Sequence, residues 1–309
     1  MSSMNPHDTR LCLLVSRQCN TRCSFCPVDF TGGNMSLDIA RQAVDQYIKH
    51  LPSSIFPRIK FFGGEPLLNW TVIYTLVEDY LNKGVSFQIS TNGILLDKEK
   101  IAYLKKRPEV EVTLSFRAKG GAELPDSWFT MVLTQGQSPE EIISRMRILL
   151  QDGYRQFNFL PAYFSLWTAG EIKELKRVFQ SLQELFFRLW DKRLECRIKN
   201  TEVLSPIPLY NAALTVDVDG GVYSSSLIET REIGNYRSFL KIGSITRWPS
   251  LREPRCDGRI LHEIVRRWAG PKLWASTEAV DGLLSCFVKD VSKYKSFNTF
   301  NTVERRCLS

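Results

Sequence analysis

A chain of 309 residues, 43% hydrophobic and 24% charged, has the composition of a globular protein with room for one large domain, or one large and one small. No apolar run approaches the roughly 20 residues of a membrane-spanning helix, and the polar start MSSMNPHDTR shows no secretory signal. The net charge of +8 is spread without a dense basic block, so a solvated basic surface is expected rather than nucleic-acid binding, and the eight cysteines are expected reduced, in a cytoplasm.

The first apolar run, LCLLVSR from Leu11, predicts a buried strand. Just past it stand Cys19, Cys23 and Cys26 in the run CNTRCSFC. Three thiolates can hold three irons of a cubane and leave the fourth iron open to a ligand. Zinc is the weaker reading, because zinc ligands come as pairs and His7, His50 and His262 stand alone. A chain this long needs no disulfide framework.

Ser36 and Asp38 open an amphipathic helix through DIARQAVDQYIKHL, and the strand RIKFFGG follows Pro57. Next come helix NWTVIYTLVEDYLNKG, ending at Gly84, strand VSFQIST, helix DKEKIAYLKKR and strand EVTLSF. RAKGGAELPDS is too rich in Gly, Pro and charge for an ordinary helix, so one helix is expected to be shortened or lost there. Strand WFTMVLT, a helix capped by Ser138 with Pro139 in its first turn, strand QFNFLPAYF and a long helix from about Gly170 to Asp191 complete the alternation.

Six strands separated by helices imply an α/β fold of parallel strands with right-handed crossovers, a partial (β/α)6 TIM-like barrel, with a flat doubly wound sheet as the alternative. The character then changes. ALTVDVDGGVYSSSLI reads as a β-hairpin around Asp219, Gly220 and Gly221, and the remainder from about Arg252 as helical. These features divide the chain into a barrel domain, 1–192, and a small α+β extension, 193–309.

With CNTRCSFC after the first strand, GGEP at Gly63 to Pro66 after the second and STNG at Ser90 to Gly93 after the third, the chain resembles the radical S-adenosylmethionine (SAM) superfamily. That resemblance implies one [4Fe-4S] cluster on Cys19, Cys23 and Cys26, with SAM on the open iron. The reduced cluster then cleaves SAM to methionine and a 5′-deoxyadenosyl radical. It further implies that Phe25 lies near the adenine, that Gly63, Gly64, Glu65 and Pro66 receive the methionine amino group, and that Ser90 and Asn92 contact the ribose and the carboxylate. Family members that modify peptides or sulfatases carry Ser-Leu-Asp-Gly after the fourth strand, followed by an Arg that helps hold SAM. Here Ser115, Phe116, Arg117 and Ala118 stand there, so Ser115 keeps its role, the Asp-Gly is gone, and Arg117 is a candidate by proximity only. Leu160 and Ala162 are candidates for an apolar floor beneath adenine, with core packing as the default for both.

The hairpin and KIGSI resemble the SPASM or Twitch extension, in which a cysteine after the second strand ligates an auxiliary cluster. Ser224, Ser225 and Ser226 occupy that place, and Cys196, Cys256 and Cys286 are too few and too dispersed to complete the pattern. A degenerate extension without an auxiliary cluster is therefore expected, because a hydroxyl is a poor iron ligand beside a thiolate. The resemblance implies a radical SAM enzyme that abstracts hydrogen from a peptide or protein side chain or a small molecule, and an electron donor such as a flavodoxin or ferredoxin. A start of the first strand near Leu11 lowers the peptide reading, since many peptide-modifying members carry an N-terminal leader-binding domain. An absent auxiliary cluster argues for a redox-neutral outcome or for SAM recycling. Tyr163, Phe164 and Trp167 either shape a substrate pocket or cover the strand ends. Cys12 reads as core, whereas Cys286 and Cys307 are candidate hydrogen donors. Two further classes are an iron-sulfur electron-transfer module without SAM cleavage and a zinc-bound structural protein.

Overall fold

The computed structural model describes residues 10–116, 118, 120–124, 126–202, 214–231, 236–249 and 258–307. Arg117 and Cys256 lie outside them, as does the side chain of Cys307. The strands are β1 (Leu11–Ser16), β2 (Arg58–Gly63), β3 (Ser86–Thr91), β4 (Val110–Leu114), β5 (Trp128–Leu133), β6 (Gln156–Pro161), β7 (Arg197–Ile198), β8 (Leu214–Val216), β9 (Gly221–Tyr223) and β10 (Lys241–Ser244). The helices are α1 (Leu37–His50), α2 (Trp70–Tyr80), α3 (Lys98–Leu104), α4 (Pro139–Gln151), α5 (Ala169–Asp191), α6 (Arg237–Leu240) and α7 (Gly258–Cys307). The fold is mixed α/β with mostly parallel strand pairing, as the alternation of strand and helix requires.

The helix starts are set by local chemistry. Ser36, Asp97 and Ser138 each accept a backbone N–H of the first turn of α1, α3 and α4, and Thr168 with Glu171 forms a capping box on α5. Among the described residues between β4 and β5, where a helix is expected to be shortened or lost, stands a 3₁₀ turn, Gly121–Glu123. Gly270, at φ 68°, breaks α7 just before Pro271.

The chain condenses into two units, one of residues 1–127 and 207–270, the other of 128–206 and 271–309. In the first, the order is β10-β9-β8-β1-β2-β3-β4, with β8 through β4 parallel and the hairpin strands antiparallel. The sequence reading assigned this hairpin to a separate extension, whereas β8 pairs directly with β1, Leu11 opposite Leu214 and Leu13 opposite Val216. A strand three residues long has too little surface for a core of its own, so it completes the edge beside β1. In the second unit, β5, β6 and a two-residue β7 that the sequence did not signal are parallel.

Parallel sheets buried on both faces have near-continuous apolar strands. Strands β2 to β4 alternate instead. Ile59, Phe61, Phe87, Ile89, Val112 and Leu114 are buried on one face. The other carries half-buried Lys60, Gln88, Glu111 and Thr113. The register puts Thr215, Cys12, Lys60, Gln88 and Glu111 in one row across five strands of this polar face.

Candidate active site on the polar face of the first unit

Loop 17–35 leaves the end of β1, and its start is a continuation of the sheet. Ser16 O accepts from Gly64 N at 2.8 Å, and Gln18 O accepts from Glu65 N at 2.8 Å. This explains the glycine pair. A Cβ on Gly63 would meet Ser16 O at 2.1 Å, and one on Gly64 would meet Gln18 O at 2.3 Å and the Cβ of Cys19 at 3.2 Å. Only glycine lets the end of β2 approach the cysteine loop this closely.

The three thiols are half-buried and free of disulfides. Cys19 Sγ lies 3.2 Å from the Thr21 hydroxyl, and Cys23 Sγ lies 3.8 Å from the same oxygen. The Cys26 amide donates to Cys23 O at 3.0 Å, closing a turn between the second and third cysteines. Burial pushes the Cys26 thiol up, and the Cys23 and Cys19 sulfurs push it the same way. Among the described residues, no three His, Cys, Asp or Glu side chains gather tightly enough for a single metal ion. A mononuclear ion needs its ligands drawn around one point, whereas a cubane takes each thiolate on a different iron. Three neighbouring thiols on one short loop fit the second demand.

Glu65 ties the strand ends together. Its buried carboxylate accepts from Leu67 N at 2.9 Å and Thr91 Oγ1 at 2.6 Å on Oε1, and from Asn92 N at 2.8 Å on Oε2. Burial raises its pKa, and these three donors work in the opposite direction. A carboxylate offers about four lone-pair sites, so one acceptor position on Oε2 remains. Asn92 Nδ2 donates to Asn20 Oδ1 at 2.7 Å and lies 4.0 Å from Cys19 Sγ, which brings the STNG turn onto the cysteine loop. Gly93, at φ 77°, allows that turn, with Leu114 and Ala118 where a Cβ would go. Pro66 is buried at the start of a 3₁₀ turn, Pro66–Asn69. Ser90 and Ser115 are half-buried, and the Ser115 amide donates to Thr91 O at 3.0 Å. Phe25 is half-buried within the cysteine loop.

The far side of the loop is held by the hairpin segment. Arg17 forks onto Asp217, Nε to Oδ1 at 2.9 Å and NH2 to Oδ2 at 2.8 Å, and both side chains are at most 3% exposed. Arg237 donates to the same Oδ2. Past the cysteines, Asp29 N donates to Glu229 O, Arg231 N donates to Pro27 O, and Val28 bridges Thr230. Sequence reasoning missed Arg17, Asp217 and Glu229 because nothing local marks a pair 200 residues apart. Two of the three serines at the expected auxiliary-cluster position, Ser224 and Ser225, make hydrogen bonds within the fold. Ser224 Oγ donates to Leu240 O at 3.4 Å, and Ser225 Oγ accepts from Leu227 N at 3.2 Å.

In the second unit, Tyr163, Phe164 and Trp167 after β6 engage the latter half of α7. Tyr163 donates to Asp281 Oδ1 at 3.0 Å, Phe164 N to Thr277 Oγ1 at 3.3 Å, and Trp167 N to Ser276 Oγ at 2.8 Å. Ala162 is buried, its carbonyl accepting from Trp167 Nε1 at 3.0 Å, and Leu160 is half-buried. Burial pushes Asp281 up to about 6, against the pull of the Tyr163 hydroxyl. A raised carboxyl costs stability once the unfolded chain's acid ionises, so the cost is absent below about pH 4 and complete above about pH 6. Asp281→Asn keeps an acceptor for Tyr163. Thermal unfolding should therefore show a higher Tm for the variant at about pH 7 and none of that gain near pH 4.

The radical SAM superfamily model matches residues 13–179. An uncharacterised protein of Methanocaldococcus jannaschii is 34% identical over 121 residues, 38% of this chain and 40% of that protein. The radical SAM cyclopropyl synthase TigE of Paramaledivibacter caminithermalis is 30% identical over 123 residues, 34% of this chain and 26% of TigE. The matched stretches thus span well under half of these two relatives. Among solved structures, anSMEcpe with bound AdoMet superposes with a TM-score of 0.68 at 12% identity, covering 96% of both chains. SuiB of Streptococcus suis bound to its precursor peptide SuiA superposes with a TM-score of 0.52 at 13% identity, over 86% of this chain and 66% of SuiB. At such identities the structures establish a shared fold.

Proposed function

The chain belongs to the radical SAM superfamily, and from that premise we propose an enzyme in which Cys19, Cys23 and Cys26 hold one [4Fe-4S] cluster with SAM on its open iron. When bound, this pair supplies a 5′-deoxyadenosyl radical that abstracts hydrogen from an organic substrate, a peptide or protein side chain or a small molecule. The observation that carries the proposal is the convergence of three strand ends. The cysteine loop, the Gly63–Pro66 segment and the Thr91–Gly93 turn are joined by Gly64 N to Ser16 O, by the Glu65 carboxylate and by Asn92.

Within that arrangement, the remaining lone pair on Glu65 Oε2 receives the methionine ammonium, beside Gly63, Gly64 and Pro66. Ser90, Asn92 and Ser115 supply polar contacts to the ribose and carboxylate, and Phe25 lies against the adenine. The glycines act here by letting two protein segments close up, which brings the end of β2 against the start of the cysteine loop. Likeness in fold to anSMEcpe, solved with AdoMet and the Cp18Cys peptide, and to SuiB, solved with its precursor peptide, supports a peptide among the candidate substrates. An external one-electron donor such as a flavodoxin or ferredoxin would reduce the cluster. No helix of the described residues is long and apolar enough to cross a membrane, in keeping with a cytoplasmic enzyme.

The hairpin segment is read as a degenerate Twitch-like element without an auxiliary cluster, with Ser224 and Ser225 already bonded within the fold. Anaerobic reconstitution tests both statements at once. About four irons per chain are expected, and about eight would demand a second cubane. With dithionite and SAM, 5′-deoxyadenosine should form. An intact, reduced cluster that yields none would leave an electron-transfer module as the better description.

A further inference from the structure

The cysteine loop carries one side chain whose hydrogen bonding is directed at the thiols and nowhere else. Thr21 stands between Cys19 and Cys23, and its Oγ1 lies 3.2 Å from Cys19 Sγ and 3.8 Å from Cys23 Sγ. Among the described residues, these two sulfurs are the only hydrogen-bond partners of that hydroxyl. Neighbouring hydroxyls are spent on the fold instead. Thr31 Oγ1 donates to Asp29 Oδ2 at 2.6 Å, and Ser16 Oγ accepts from Gln18 N at 3.0 Å.

The placement of Thr21 is held by its surroundings. Arg22 NH1 donates to Cys19 O at 2.7 Å and to Thr21 O at 2.8 Å, and its guanidinium lies 4.5 Å over the Phe30 ring. The Thr21 amide approaches Cys19 Sγ at 3.5 Å. Asn92 Nδ2 reaches that sulfur only at 4.0 Å and is already engaged by Asn20 Oδ1 at 2.7 Å. Cys19 thus faces two donors from one residue: a backbone amide, which side-chain substitution preserves, and a hydroxyl, which substitution can remove.

While a thiol keeps its proton, either partner can donate. A cluster ligand is a thiolate, which only accepts. The single O–H of Thr21 must then donate to sulfur, and Cys19 is the nearer acceptor. Hydrogen bonds to the sulfurs are among the factors that set the potential of an iron-sulfur cluster. The sign follows from charge. A reduced cluster carries one more negative charge than an oxidised one, so a donor stabilises the reduced form more and raises the potential.

We propose that the Thr21 hydroxyl, by donating to Cys19 Sγ, raises the reduction potential of the cluster and so eases its reduction by a one-electron donor. The assignment rests on the reading of Cys19, Cys23 and Cys26 as ligands of a [4Fe-4S] cluster, and adds to it the side chain that tunes that cluster. Full-length wild type, Thr21→Val and Thr21→Ser are reconstituted anaerobically. Each is titrated with titanous citrate through redox mediators, and the reduced cluster is counted by electron paramagnetic resonance. Valine keeps the branched shape and removes the hydroxyl, whereas serine keeps the hydroxyl. Both variants should hold about four irons per chain. At the wild-type midpoint, the ratio of reduced to oxidised cluster should fall about three- to tenfold in Thr21→Val, tenfold being about 59 mV for a one-electron couple. Thr21→Ser should titrate with the wild type.

An unchanged or more positive midpoint in Thr21→Val, or an equal shift in Thr21→Ser, overturns the proposal. Loss of iron from Thr21→Val overturns it as well, since the residue would then support the loop rather than tune the cluster. A wild type that assembles no cubane is a different failure, that of the underlying cluster reading, and it is seen in the iron count before any potential is measured.

Discussion

Replacing Cys19, Cys23 or Cys26 singly by alanine is expected to take bound iron from about four per chain to near zero, and 5′-deoxyadenosine formation to background. The thiols are half-buried on a loop and contribute little to the core, so the same variants should unfold within about 0.5 kcal/mol of wild type in urea, as substitutions away from the core do. That separation of cluster loss from fold loss is the informative outcome. Cys286, exposed on α7 in the second unit, is the control. Its alanine variant should keep both iron and 5′-deoxyadenosine formation, neither of which needs a hydrogen donor, and parallel losses at Cys286 and Cys23 would mean that the assay reports general thiol damage.

The second large effect is expected far from any cofactor. Asp217→Ala leaves the Arg17 guanidinium, 3% exposed, without its carboxylate, and breaking a buried pair from one side costs about 3–5 kcal/mol. Arg237, which also donates to Asp217, loses its partner in the same step. The loss should appear as a lower urea midpoint with an unchanged m-value. Because Arg17 directly precedes the cysteine loop, iron retention should fall as well. Replacing both charges, Arg17→Met with Asp217→Leu, removes the uncompensated charge and should recover much of the stability. A double variant no more stable than Asp217→Ala would show that Arg17 is not the group left stranded.

These two expectations differ in how they were reached. The cysteines were readable from CNTRCSFC alone, since cluster ligands close in sequence leave a spacing. Ser36, Asp97, Ser138 and Thr168 marked helix starts for the same reason, because a cap acts within one turn. Glycines 63 and 64 were legible as special, but their task was not. The sequence could not show that Ser16 O and Gln18 O occupy the space a Cβ would need. Likewise Glu65 read as an acceptor for a ligand, while three of its acceptor positions are taken by Leu67, Thr91 and Asn92. The hairpin read as a β-hairpin, and its union with β1 was invisible, because register between strands 200 residues apart leaves no periodic trace.

By itself, then, the amino-acid order determined the alternation of strand and helix, the caps and the three-thiol loop, all set by interactions within a few residues of one another. Only the tertiary structure decided which side chains meet around that loop. Arg17 finds Asp217, Asn92 finds Asn20, and Glu229 is left with a buried oxygen unserved. Such pairings depend on strand order and register, which side-chain burial selects globally and no short stretch of sequence encodes.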